Sequence, residues 1–305
     1  MFPFRRKIPG FCVALFLFSS AFLALAQESV TISLLPVPFG PDDKASCVSL
    51  TEDGALVAFQ SRRPDGRGGA DIWLSRFQNG KWSEPYNAGP GVNTSANEVD
   101  AKLSADGKTM VFIRGQNFKE SSGIYISRFR NGAWSEGEFV GPPVSLPHTI
   151  QFGAVLTRDG KRLYFASNRS GGYGGLDNYY SDWDGAKWSE PTNLGPVINT
   201  PDDDGDLAIS RDGKTLIFPN RGSDSVNGSI DLYLSRFADG SWSAPVNLGS
   251  RINTPYNDTC PWLGYDGYTL YFNSELTSSL MGQKGPSRIW KVRYSKRFDE
   301  SGTGK

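Results

Sequence analysis

A ten-residue segment recurs five times along this chain, and no other feature restricts its fold as strongly. The copies are "LTEDGALVAF", "LSADGKTMVF", "LTRDGKRLYF", "ISRDGKTLIF" and "LGYDGYTLYF". Their aspartates, Asp53, Asp106, Asp159, Asp212 and Asp266, are spaced by 53, 53, 53 and 54 residues. A second segment follows the first four: "DIWLSRFQNGKWSEP", "GIYISRFRNGAWSEG", "DNYYSDWDGAKWSEP" and "DLYLSRFADGSWSAP", with Trp82, Trp134, Trp188 and Trp242. A third, fullest in "NLGPVINTPDDDGDLAIS", leads into the next copy. A period of this length means stacked units, each burying its apolar faces against its neighbours.

Each unit reads as four strands, which around Asp212 are "GDLAIS", "KTLIFP", "IDLYLSRF" and "SWSAPVNL". An Asp-Gly turn joins the first two. Asn79-Gly80, Asn131-Gly132, Asp184-Gly185 or Asp239-Gly240 joins the last two, and such pairs accept the positive φ of tight hairpins. No helical pattern lies between them. Four antiparallel strands per repeat describe one propeller blade. The expected fold is all-β, a five-bladed β-propeller of four-stranded antiparallel blades. Gly (35) and Pro (19) make up roughly 18% of 305 residues, against the ~12% usual for proteins, as many short strands and turns require. The repeated aromatic residues are expected to fill the wedges between blades.

The fifth unit lacks a "WSxP" strand: after "SRIWKVRY" only "SKRFDESGTGK" remains. Residues 30–45, "VTISLLPVPFGPDDKA", resemble the strand and connector "TNLGPVINTPDDDG" of the third unit. The N-terminal strand is therefore expected to complete the last blade and close the ring. The propeller domain spans 27–295, and 296–305 is a polar tail. Cys47 and Cys260 each precede their Asp-Gly aspartate by six residues. They share one column, in blades that are neighbours only if the ring closes. Two outcomes are open there, a disulfide or two buried thiols.

Arg5, Arg6 and Lys7 precede an apolar run ending in Ala24-Leu25-Ala26. This is the layout of a secretory signal peptide, residues 1–26, and the run is short for a ~20-residue span. Removing it leaves 29 basic against 32 acidic residues. The mature chain is expected in the periplasm or outside the cell, where disulfides form. It is not expected to span the membrane. Its charge balance argues against nucleic-acid binding.

The residues "LSxDGxxLYF", "SNRSGGYGGLDNYY" and "WSEPTNLGPVINTPDDD" resemble the WD-like β-propeller repeat family, of the TolB and OmpA-associated type. The resemblance covers about residues 42–294. It implies an extracytoplasmic binding or scaffold domain, with a protein or cell-envelope component as partner. The chain departs from TolB in having five detectable repeats and no added N-terminal domain, so TolB's own role does not carry over.

One face of the propeller should carry the short turns. The other should carry the connectors and the variable loops between second and third strands, where specificity tends to reside. Arg62, Arg63, Arg114, Arg169 and Arg221 begin those loops, and Tyr173 sits in "GGYGG". The arginines either clasp an anionic partner or pair with nearby acids. The acidic connector residues are Asp42, Asp43, Glu98, Asp100, Asp202, Asp203, Asp204, Asp206 and Asp258. Asp100 and Asp206 share the cysteine column and are expected at the channel mouth. Three readings are open for them: a solvated acidic rim, Ca²⁺ held by Asp100, Asp204 and Asp206, or a glycosidase pair. No other cofactor is implied. The only histidine, His148, stands in a connector, and no "GxSxG" elbow occurs. The leading expectation is a non-catalytic, monomeric binding propeller; the alternative is a glycan-binding or glycan-hydrolysing one.

Overall fold

The computed structural model describes residues 30–35, 45–222, 230–275 and 288–298. These contain strands and no helix, in five antiparallel sheets arranged as the blades of a propeller. The signal-peptide segment 1–26, the connector bearing Asp42 and Asp43, and the tail beyond 298 lie outside the described residues.

The repeat columns explain the packing. Phe59, Phe112, Phe165, Phe218 and Phe272 end the five Asp-Gly segments, and each is fully buried. Burying one such ring stabilises the fold by roughly 1.5–3 kcal/mol. Each "WS" tryptophan closes on an aromatic residue across its hairpin: Trp82 on Phe77, Trp134 on Phe129, Trp188 on Trp183 and Trp242 on Phe237, at 5.2 to 5.4 Å. The serine of "WS" accepts as a partner strand edge does. Ser75, Ser127, Ser181 and Ser235 donate their Oγ–H to the carbonyls of Ser83, Ser135, Ser189 and Ser243, each at 2.7 Å.

The outer strand position is split in the first, second and fourth blades. In the first, Lys81–Trp82 and Tyr86–Asn87 pair separately with Asp71–Gln78. Pro85 lies between the two pieces and has no N–H for the ladder. Asn79-Gly80, Asn131-Gly132 and Asp239-Gly240 adopt positive φ at both residues, as a type I′ hairpin demands. The third blade differs from expectation. Only Gly185 is positive there, and the Asp184 carboxylate accepts the Ala186 and Lys187 N–H groups at 2.8 Å. The connection is thus a wider loop capped by its own aspartate.

The ring closes through the N-terminal strand. Val30–Leu34 pairs antiparallel with Arg288–Tyr294, from Val30 opposite Tyr294 to Leu34 opposite Trp290. It completes the sheet whose other strands are Asn257–Leu263 and Thr269–Glu275. The seam with the first blade carries two further links. Cys47 and Cys260 are disulfide-bonded, and the Cys47 N–H donates to Asn273 Oδ1 at 2.9 Å.

The cysteine column marks a device repeated in every blade. Cys47, Asp100, Gly153, Asp206 and Cys260 all have φ between 49° and 60°. Four of the five inner strands change register there, the mark of a β-bulge. Gly153 is required for space as well as φ. A Cβ on it would lie 2.6 Å from the Asp206 backbone nitrogen.

Candidate functional site

A cavity of about 410 Å³ opens on the loop-rich face beside the third and fourth blades. The connector residues Thr200, Asp202, Asp203, Asp204 and Asp206 line one side, and Asn220 and Arg221 the other. Phe152 and Leu176 supply apolar wall. This is the face that the variable loops were expected to occupy.

Much of the repeated polar sequence around it builds the blades. Asp177 opens the third strand of its blade and is buried. It accepts the N–H groups of Tyr173 at 2.6 Å and Gly174 at 3.1 Å, and the Asn193 amide at 3.0 Å. Asn193 in turn accepts from Asn199, which bridges both backbone groups of Asn178. Asp71, Asn87 and Asn93 repeat the relay in the first blade. Asp231, Asn247 and Asn253 repeat it in the fourth. The "NxGxxxNT" segments are therefore internal scaffolding. So are the glycines of "GGYGG". A Cβ on Gly174 would stand 2.2 Å from the Asp202 carbonyl oxygen, so the loop seats directly on the connector backbone.

The second blade lacks the relay because Gly123 and Phe139 replace its aspartate and first asparagine. A Cβ on Gly123 would meet the Phe139 ring at 2.7 Å, so the apolar ring takes the vacated room.

The arginines separate into two groups. Arg114 pairs with Glu98 at 2.9 Å, donates to the Val92 carbonyl at 2.8 Å and stacks on Tyr125 at 4.4 Å. Arg169 donates to the carbonyls of Pro143 and Val144 and lies over Phe165 and Tyr179. Its burial pulls the guanidinium pKa down. Both bind the preceding connector to their own blade. Arg63 lies over Trp73 at 5.1 Å. Arg62 and Arg221 are exposed, and only Arg221 borders the cavity. Tyr173 is also exposed, at 51%.

The acids separate in the same way. Thr94, Thr200 and Thr254 each donate backbone N–H and hydroxyl to the acid four residues on, Glu98, Asp204 and Asp258. Burial pushes Asp204 up to about 6 and Asp258 up to about 7, against those hydrogen bonds. Asp100 is buried in an ion pair with Lys102 at 2.7 Å. Asp206, at the cavity, is pushed up to about 7 by burial and then by the Asp100 charge, with Lys102 opposing. The side chains suggested as a Ca²⁺ set are thus directed differently: Asp204 to Thr200, Asp100 to Lys102. Among the described residues no three acidic, histidine or cysteine side chains form a group that would hold a metal. His148 is exposed in its connector.

Sequence reading passed over Lys102 and Trp262. They share a column with Ser49, Val155 and Ala208, four residues before each Asp-Gly aspartate. Column-by-column comparison of the repeat would have singled out a lysine and a tryptophan facing the channel.

No protein-family model matches the chain, and no curated protein matches it. Solved structures share the fold. TolB from Acinetobacter baumannii is 17% identical with a TM-score of 0.53, over 85% of this chain and 56% of TolB. This chain therefore spans little more than half of that protein. A putative TolB from Agrobacterium tumefaciens is 17% identical with a TM-score of 0.52, over 88% of this chain and 98% of its own. The catalytic domain of the GH62 α-L-arabinofuranosidase of Coprinopsis cinerea is 11% identical with a TM-score of 0.58, over 90% and 99%. At these identities the likeness is one of fold, and the propeller carries unrelated functions among these structures.

Proposed function

We propose that this chain is an exported, non-catalytic binding propeller. Its loop-rich face, centred on the cavity beside the third and fourth blades, takes a protein or cell-envelope partner. The observation that carries this reading is a contrast around the cavity. The repeating polar residues are bonded internally, whereas Asp202 and Arg221 in its lining, and Tyr173 in the loop seated on the Asp202 backbone, are exposed. Two opposite charges in a recess with an exposed aromatic ring on the adjoining loop suit recognition of a folded partner. Export to the periplasm or beyond rests on the basic start, apolar run and Ala24-Leu25-Ala26 ending. The TolB-like fold agrees with it. The chain is proposed to act as a monomer.

Affinity capture from an envelope extract tests this, with the chain from Gln27 as bait and a Tyr173→Ala/Arg221→Glu variant as control. A protein retained by the bait and lost with the variant supports the reading. Equal recovery from both baits rejects this rim as the binding surface.

One observation favours a second reading, glycan binding or hydrolysis. Asp206 is an acid with a pKa near 7 at a cavity wall, suited to proton donation, on a fold shared with an arabinofuranosidase. Asp100, its column mate, does not line the cavity and is paired with Lys102. Hydrolysis of aryl glycosides that disappears in a folded Asp206→Asn variant would establish this alternative. Activity unchanged by that substitution would remove Asp206 from it.

A further inference from the structure

We infer that the opposite mouth of the channel, on the tight-turn face, holds a separate site for a small carboxylate on an apolar body. A cavity of about 400 Å³ opens there, with Val111, Val155 and Leu156 in its wall and Lys102, Trp262 and Tyr265 around it. Lys102 is only 3% exposed although it carries a charge. Its ammonium has three N–H donors. Its Nζ lies 2.7 Å from Asp100 Oδ1 as an ion pair, and no other acceptor reaches it among the described residues. Trp262 is likewise 3% exposed, and its indole N–H has no hydrogen-bond partner. Lys102 Nζ lies 6.0 Å from the centre of the Trp262 ring. A buried donor without an acceptor is costly and uncommon, so the Trp262 indole N–H, beside an ammonium that lines the same cavity, marks a place for an incoming oxygen.

The chemistry of the ligand follows from what surrounds those donors. Besides Asp100, the acids of the neighbouring turns do not serve them. Asp106 accepts from Ser104 and the Lys108 N–H, and Asp159 from Thr157 and the Lys161 N–H, each within its own turn. Tyr265 donates its hydroxyl to the Leu103 carbonyl, which leaves its ring as wall. A carboxylate has two acceptor oxygens and no donor, so one oxygen serves Lys102 and the other Trp262. The bond to the ammonium is charge-assisted. The aliphatic wall then packs an apolar body attached to the carboxylate. None of these residues lines the loop-rich cavity, so binding at the two sites can be tested separately.

Calorimetric titration of the purified protein with sodium benzoate tests the site, with benzamide as the neutral counterpart of the same shape. Saturable one-to-one binding of benzoate is expected, with benzamide weaker by about tenfold. Trp262→Phe keeps a ring but removes the N–H, and should weaken benzoate by about five- to tenfold. Leu156→Trp fills the cavity from its wall, touches neither donor, and should abolish binding. Lys102→Met should also abolish it, but leaves Asp100 without its partner. The two milder variants, checked by circular dichroism for a native fold, therefore decide. Absence of saturable benzoate binding to the native protein would overturn the proposal. Benzamide binding as tightly as benzoate, or binding unaltered by Leu156→Trp, would do the same.

Discussion

Cys47 and Cys260 are 213 residues apart in sequence and 5.0 Å apart at Cα. Their bond joins the inner strands of the first and last blades, beside the Cys47 N–H bond to Asn273. The ring is thus fastened twice: at the axis by the disulfide, and at the periphery by Val30–Leu34 on Arg288–Tyr294.

The axial fastening should matter mainly through the unfolded chain. Cross-linking so long a loop removes unfolded-state entropy worth about 5 kcal/mol in the chain-entropy model. Cys47→Ser/Cys260→Ser should keep the fold and lower the denaturant midpoint by a corresponding amount. Intact-mass measurement with and without reductant, followed by urea unfolding, checks both parts. A midpoint unmoved by reduction would show that the peripheral strand alone holds the seam.

Removing the peripheral strand should be worse. A chain beginning at residue 36 would leave Arg288–Tyr294 as an open edge, without the ladder that now runs from Val30 to Leu34. It would also lose Leu35, which is 8% exposed. Open edges invite intermolecular pairing. The truncated chain should aggregate at concentrations where the intact chain stays monomeric, as light scattering would register. A synthetic peptide covering 28–36 should restore monomers.

Asn199 separates scaffold from surface. It is 2% exposed and bonds the Asn178 N–H, the Asn178 carbonyl and Asn193. Asn199→Ala orphans all three and should cost about 2–3 kcal/mol. Asp202→Ala, at an exposed rim position, should stay within about 0.5 kcal/mol. Urea denaturation of the two variants distinguishes them. Equal losses would contradict the division between relay and rim.

Stability should fall as pH rises through the neutral range. Asp204, Asp206 and Asp258 are held above the usual aspartate range, at about 6, 7 and 7. The folded chain therefore binds more protons than the unfolded chain between about pH 4 and 7. Stability from these groups is complete below the unfolded pKa and is lost as pH rises through the folded values. Asp53, Asp106 and Asp159 shift the other way, each lowered chiefly by the hydroxyl of Thr51, Ser104 or Thr157. Their contribution is present above the unfolded pKa and lost in stronger acid. The melting temperature should peak near pH 4 and decline toward pH 8, and Asp258→Asn should flatten the decline. A melting temperature that rises from pH 5 to pH 8 would refute this.

The blade count, the inner-strand columns and the closing role of the N-terminal strand were all legible in the sequence. They depend on period and alternation, which a repeat displays many times over. The Asp184 turn was misread because one residue's capping bonds override the hairpin preference of Asp-Gly. The arginines were legible as a group but not by role. Arg114 and Arg169 begin similar loops to Arg62 and Arg221, and only the position of the preceding connector decides which guanidinium is enclosed.

By itself, then, the sequence determined the architecture: five units that cannot bury their apolar faces alone, and a strand to complete the last. Only the tertiary structure decided the sites. Closing the ring brings Asp100, Asp206, Lys102 and Trp262 from three blades to one narrow channel. There burial raises an aspartate, pairs a lysine and strands an indole N–H. Those effects depend on distance across the axis and on exclusion of water, and neither is a property of any single repeat.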